Sequence, residues 1–255
     1  MYFIKLLTLA IFLLTIPQNA QAAKDTPEKI IKNKFYKSLS LSNAKQKYPL
    51  VMRDLQMRLN APYASKNDLN VAMFWLRDEY LYENGDPKYG LSYVQFLESL
   101  SSSMKQANPE QAKTMNLNSV IHYFVAEFFL KSDVLYCQDD TAGLNSLQQI
   151  EQLRQNYLRR FAALTPADKE HVYGEIFKLL EERKARIPYT DICKSGAEHM
   201  KKAYESGQFQ QNFSMKDGTQ YIDDTLAPEL VDDQEWMRRR DVLLKELTNE
   251  LLSLQ

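Results

Sequence analysis

The sequence predicts an all-α protein, an irregular multi-helix bundle of antiparallel helical hairpins with one disulfide. Three observations carry that expectation. Only seven glycines fall in 255 residues, which disfavours a turn-rich β fold, while Leu, Lys, Glu, Gln and Ala, all good helix formers, are abundant. Apolar side chains recur at i, i+3/i+4 and i+7 in one segment after another. Between the segments stand capping residues followed by proline, the punctuation of helix starts.

The chain opens with a different pattern. Met1 to Lys5 carries one charged side chain, Leu6 to Ile16 is an apolar run, Pro17 breaks it, and Asn19-Ala20-Gln21-Ala22 ends on small residues. That is the order of a secretory signal, with cleavage expected after Ala22. A run of eleven residues is too short to cross a hydrocarbon core, which takes about 20 helical residues. No later stretch is long and apolar enough, so no membrane span is expected, and the protein is read as soluble and periplasmic or secreted.

Four regions follow from the pattern: the signal (1–22), a main helical domain (23–207), an acidic loop or linker (208–234) and a C-terminal amphipathic helix (235–255). In the main domain, Thr26-Pro27-Glu28, Asn108-Pro109-Glu110-Gln111 and Thr165-Pro166-Ala167-Asp168 mark helix starts. Gly85 and Gly207 sit where helices should stop. Leu69, Met73, Leu76 and Tyr80 form one stripe; Tyr89, Tyr93, Phe96, Leu97, Leu100 and Met104 a second; Val172, Ile176, Leu179 and Leu180 a third. Leu117 to Tyr136 differs: Val120 to Leu130 is apolar nearly all round, interrupted only by His122 and Glu127, as in a central helix packed on several sides. Ala72-Met73-Phe74-Trp75-Leu76-Arg77 followed by Glu83-Asn84-Gly85-Asp86 and Tyr89-Gly90-Leu91 resembles one Sel1-type helical-hairpin unit. A solenoid needs about three such units to bury its faces, so an ordinary αα-hairpin accounts for the same residues.

After Gly207 the periodicity fades. Gln208 to Gln234 carries Asp217-Gly218, Pro228 and the acidic pairs Asp223-Asp224 and Asp232-Asp233, the composition of an exposed loop. Trp236, Leu243, Leu244, Leu247, Leu251 and Leu254 then lie along one side of a final helix, which is expected to dock through Trp236, Leu243, Leu247 and Leu251.

Composition narrows the function classes. The whole-chain charge is −1, and removal of Lys5 with the signal makes it −2, so no basic field exists to hold nucleic acid. The apolar fraction of 44%, with fifteen tyrosines and twelve phenylalanines, suffices for a sizeable core. Cys137 and Cys193, an even pair in an oxidising compartment, read as one structural disulfide. Closing a loop of that size contributes roughly 4 kcal/mol on the chain-entropy account.

No motif specifies a chemistry. His171 and Glu175 share a helix face, but they have no third ligand and continue into Lys178 and Glu182, so they read as a solvated face. His122 and Glu127 stand about 140° apart around a helix axis and cannot form one site; each is expected to satisfy a hydrogen bond to a neighbouring helix. His199-Met200 lacks the Cys-x-x-Cys-His of haem attachment and His199 reads as a surface residue. Asp139-Asp140 and the later acidic pairs lack the spacing of a calcium loop and read as solvated. No nucleophile elbow, phosphate-cradling loop or zinc motif occurs, and no cofactor or metal is expected. The leading expectation is therefore a periplasmic binding or interaction protein of the cell envelope, in the manner of an immunity-type inhibitor, whose partner is another protein or an envelope component. The alternative is a peptidoglycan hydrolase with Glu127 as its lone catalytic acid.

Overall fold

A computed structural model describes residues 33–43, 48–60, 65–213, 220–224 and 226–255, with the backbone alone at 42–43, 49–50, 66, 209–213 and 220–224. The signal segment 1–22 and the Thr26-Pro27 helix start lie outside the described residues. The described chain is helical: α1 (Lys34–Asn43), α2 (Tyr48–Leu59), α3 (Lys66–Leu81), α4 (Lys88–Met104), α5 (Pro109–Val134), α6 (Leu144–Ala162), α7 (Pro166–Glu182), a 3-10 turn (Thr190–Ser195), α8 (Ala197–Glu205) and α9 (Asp233–Ser253). A two-stranded hairpin, β1 (Phe209–Phe213) and β2 (Gln220–Asp224), precedes α9. The all-α bundle predicted from the stripes is the architecture observed. Both proline-marked starts among the described residues fall where the caps place them. The Asn108 side chain accepts from the Gln111 N–H at 3.1 Å, and the Thr165 hydroxyl accepts from the Asp168 N–H at 3.2 Å.

The chain divides into two compact units: Met1–Ala126 with His171–Lys184, and Glu127–Glu170 with Ala185–Gln255. Helices α5 and α7 each run through the boundary.

In the first unit, α3 and α4 form an antiparallel hairpin around Trp75, Leu76, Tyr80 and Tyr89, all buried, joined by Val51 and Leu55 of α2 and Tyr123 and Phe124 of α5. The rings of Trp75 and Tyr89 meet edge to face at 5.1 Å, and the Trp75 indole donates to Ser40 at 3.1 Å. Gly90 permits this packing, because a Cβ there would lie 2.7 Å from the Ala126 Cβ and 2.8 Å from the Tyr80 ring. The α3 stop differs from expectation. Asn84, not Gly85, takes the left-handed conformation (φ 55°), a region Asn tolerates through local hydrogen bonding.

In the second unit, Phe128, Phe129 and Leu130 at the end of α5, Ile150, Tyr157 and Phe161 of α6, and Trp236, Leu247 and Leu251 of α9 are all buried. Burial of side chains this size stabilises by about 1.5–3 kcal/mol each. Leu243, expected among the docking residues, is only partly covered. The Trp236 indole donates to the Ser132 carbonyl at 2.9 Å. Both α6 and α9 run antiparallel to α5. The turn into α6 needs Gly143, whose φ is +69° and whose Cβ would lie 2.5 Å from a Val134 methyl.

Within 208–234 the described residues Phe209–Phe213 and Gln220–Asp224 form strands that the composition did not announce. Phe209 pairs with Asp224 and Phe213 with Gln220 in an antiparallel register. Residues Glu229 to Val231 lie against the end of α5, through Gln138 N–H to Glu229 O and Val231 N–H to Tyr136 O, each 3.0 Å. Backbone pairing of this kind leaves no apolar period to read, and for that reason the sequence resembled a loop.

Candidate functional site

Cys137, just beyond α5, and Cys193, in the 3-10 turn, have their sulfurs at disulfide distance, 2.03 Å. The same turn of chain holds a second cross-tie. The Arg186 guanidinium meets the Asp133 carboxylate at 2.6 and 3.0 Å, both side chains being almost wholly buried, and lies over the Phe129 ring. Asp139 supplies a third. Partial burial pushes its carboxyl up, but hydrogen bonds from Thr141 and from the N–H groups of His199 and Glu198 outweigh that and hold it below the usual range. It thereby caps the start of α8 from a distance, and the solvated-loop expectation for Asp139 is corrected. His199, expected on the surface, is buried beneath this cap. Asp232 caps α9 through the Glu235 N–H at 2.9 Å, and Asp233 accepts from the Tyr136 hydroxyl at 2.8 Å, so this acidic pair also has a structural task. These partners are distant in sequence, and no local spacing announces them.

Glu127 begins the second unit. One carboxylate oxygen accepts from Lys131 Nζ at 2.5 Å and from Arg154 Nε at 2.6 Å, and Arg154 also donates to Glu250 of α9 at 2.6 Å. The other oxygen, Oε2, is buried with no hydrogen-bond partner among the described residues. Glu127 was expected to satisfy a hydrogen bond to a neighbouring helix; it does so through Arg154 of α6 and is the anionic centre of a chain of charges joining α5, α6 and α9. Burial excludes it from the surface, with 3% of its area exposed.

Just above this charge chain, an open groove of about 860 Å³ runs between α6 and α9 over the end of α5. Val134, Leu135, Leu147 and Leu243 line it, and Leu144 and Val242 stand on its walls, roughly half exposed at 55% and 46%. Charges order its length. Arg238 and Arg239 lie at the end near the α9 N-terminus, both held by Glu235 at 2.7 Å, whose carboxyl they draw down to about 2. Glu151 and Glu246 lie toward the other end. Sequence reading missed the groove: of its apolar residues only Leu243 was read, as a docking residue, and Leu135, Leu144, Leu147 and Val242 were given no place.

In the first unit His122 is buried with its Nδ1 hydrogen-bonded to the Tyr80 hydroxyl and its ring edge-on to Tyr93 at 4.8 Å. Burial, then the charge of Arg77, lowers its pKa to about 3, so it is a neutral core histidine. His122 and Glu127 fall in different units. His171 is exposed and Glu175 is engaged by Lys178 at 3.3 Å, the solvated face that was expected. No group of three His, Cys, Asp or Glu able to hold a metal occurs among the described residues, and no described helix is long and apolar enough to cross a membrane. No protein family, curated protein or solved structure matches the chain.

Proposed function

We propose that the protein is a periplasmic, helical interaction protein of the cell envelope, acting by binding another protein, as an immunity-type inhibitor does. The observation that carries this reading is the groove between α6 and α9: an apolar floor with a charged rim is the form in which helical bundles receive a partner's helix. The signal-like segment 1–22 and the Cys137–Cys193 pair support an exported location. The peptidoglycan hydrolase reading has one observation in its favour, the unpartnered Glu127 Oε2. Against it, the carboxylate is bonded to two cations and is not among the residues lining the groove.

The test is capture of partners from envelope extracts by the immobilised protein and by Val242→Glu, run beside a peptidoglycan-clearing assay. A protein retained by the parent and lost by Val242→Glu supports the reading. Clearing by the parent that Glu127→Gln abolishes would replace it with the enzyme.

A further inference from the structure

We infer that the helix received by the groove is α9 of a second copy of this chain, seated antiparallel about a two-fold axis over Val242. The inference rests on reading the groove as a binding surface and names its occupant.

The groove's charge order is self-complementary. A two-fold axis across an antiparallel helix pair brings together residues whose numbers have a constant sum. With Val242 on the axis, Arg238 of one copy falls opposite Glu246 of the other, each being four residues from Val242, about one helical turn, while the same operation sets Arg239 opposite Lys245, which is not part of the groove lining. Both side chains line the groove. The two arginines share a single acid, Glu235, so that end keeps an excess positive charge. Glu151 and Glu246 make no salt bridge among the described residues, so the far end keeps an excess negative one. A symmetric contact therefore forms each opposite-charge meeting twice, as isologous interfaces do, whereas a parallel arrangement would set like charges against each other. The apolar groups fit the same operation. Val242 projects from the α9 wall, and the partly covered Leu147 and Leu243 line the trough, so the α9 ridge of each copy enters the trough of the other.

Sedimentation velocity of the purified protein tests this with a set of charge variants. The parent is expected to form a concentration-dependent dimer. Arg238→Glu and Glu246→Arg should each weaken it at least about tenfold in Kd, because the Arg238–Glu246 meeting, formed twice, becomes a like-charge one. An equimolar mixture of the two variants should recover a heterodimer. Val242→Cys should give a disulfide-linked dimer on a non-reducing gel, since only a residue at the axis meets its own copy, and Arg238→Cys alone should not. Circular dichroism confirms that each variant folds. A parent that stays monomeric to about 100 μM, or a dimer indifferent to the charge variants, or one that both variants weaken but mixing does not restore, overturns the inference. A monomer that loses an envelope partner on Val242→Glu overturns the second copy as occupant and leaves the groove's binding role standing.

Discussion

The two compact units solve the burial of polar groups differently. The first encloses an uncharged trio, His122, Tyr80 and Tyr93, in which the histidine gives up its charge, and sets the buried carboxylates Asp78 and Asp86 beside the partly exposed cations Arg77 and Lys88. The second encloses charged groups, Asp133 with Arg186 and Glu127 with Lys131 and Arg154, and adds a covalent tie. A buried neutral group costs its unmade hydrogen bonds; a buried ion costs far more unless its partner is kept in place. The second unit therefore depends on a few specific partners, and the first on packing and on pH. Each unit contains one of the two tryptophans, Trp75 or Trp236, so Trp236→Phe and Trp75→Phe backgrounds report the units separately by fluorescence.

The largest effect belongs to Arg186→Met, which takes from the buried Asp133 carboxylate its guanidinium partner at a cost of about 3–5 kcal/mol. Urea unfolding followed by Trp236 should shift far more than unfolding followed by Trp75. Asp133→Leu/Arg186→Met together should restore much of the loss, and equal shifts in both reporters would deny that the pair serves the second unit.

Next comes the disulfide. Replacing Cys137 and Cys193 by Ala should cost about 2–4 kcal/mol, again read by Trp236. A change below about 0.5 kcal/mol would mean that the isolated strand contact of Leu230 with Cys137 and the Asp139 cap already hold this end of the molecule.

Acid distinguishes the first unit. The folded pKa of His122, about 3, lies below its unfolded value of about 6.5. The unfolded chain thus binds the proton first, and the stability due to the neutral imidazole is complete above pH 6.5 and lost as pH falls toward 3. Asp78, whose carboxyl burial pushes up, acts in the opposite direction. Melting followed by Trp75 should fall by on the order of 2–3 kcal/mol between pH 7 and 4.5 in the parent, and His122→Gln should flatten that slope. An unchanged slope would place the acid sensitivity elsewhere.

These contrasts also explain what could be read in the sequence. Helix starts at Pro109 and Pro166 were legible because a cap and the N–H from which it accepts lie within three residues. The central position of α5 was legible because apolar groups surround it, and the cysteine pair because two cysteines allow one pairing. The polar partners were not legible: Asp133 meets Arg186, Asp139 meets the start of α8, and Glu127 meets Arg154 only after the helices have packed. The groove was hidden for the opposite reason. Leu144, Leu147, Val242 and Leu243 have the spacing of core residues, and periodicity alone does not say whether such a face is covered. For Glu127 the need of a partner on a neighbouring helix was legible from its apolar surroundings, but which cations supply it, Lys131 and Arg154, was not.

With the groove as the binding surface, as proposed, charge inside the second unit should hold the structure while the groove makes the contact with a partner. One paired measurement, thermal melting and partner retention on the same samples, tests this claim most directly. Glu127→Gln, which removes the charge that Lys131 and Arg154 share, should lower the Tm and leave retention intact at temperatures where the variant is folded. Val242→Glu, an exposed change to a better helix former, should leave the Tm within about 2 °C and abolish retention. The reverse pattern, with retention lost in folded Glu127→Gln and kept in Val242→Glu, would contradict the claim and place the functional site at the buried carboxylate.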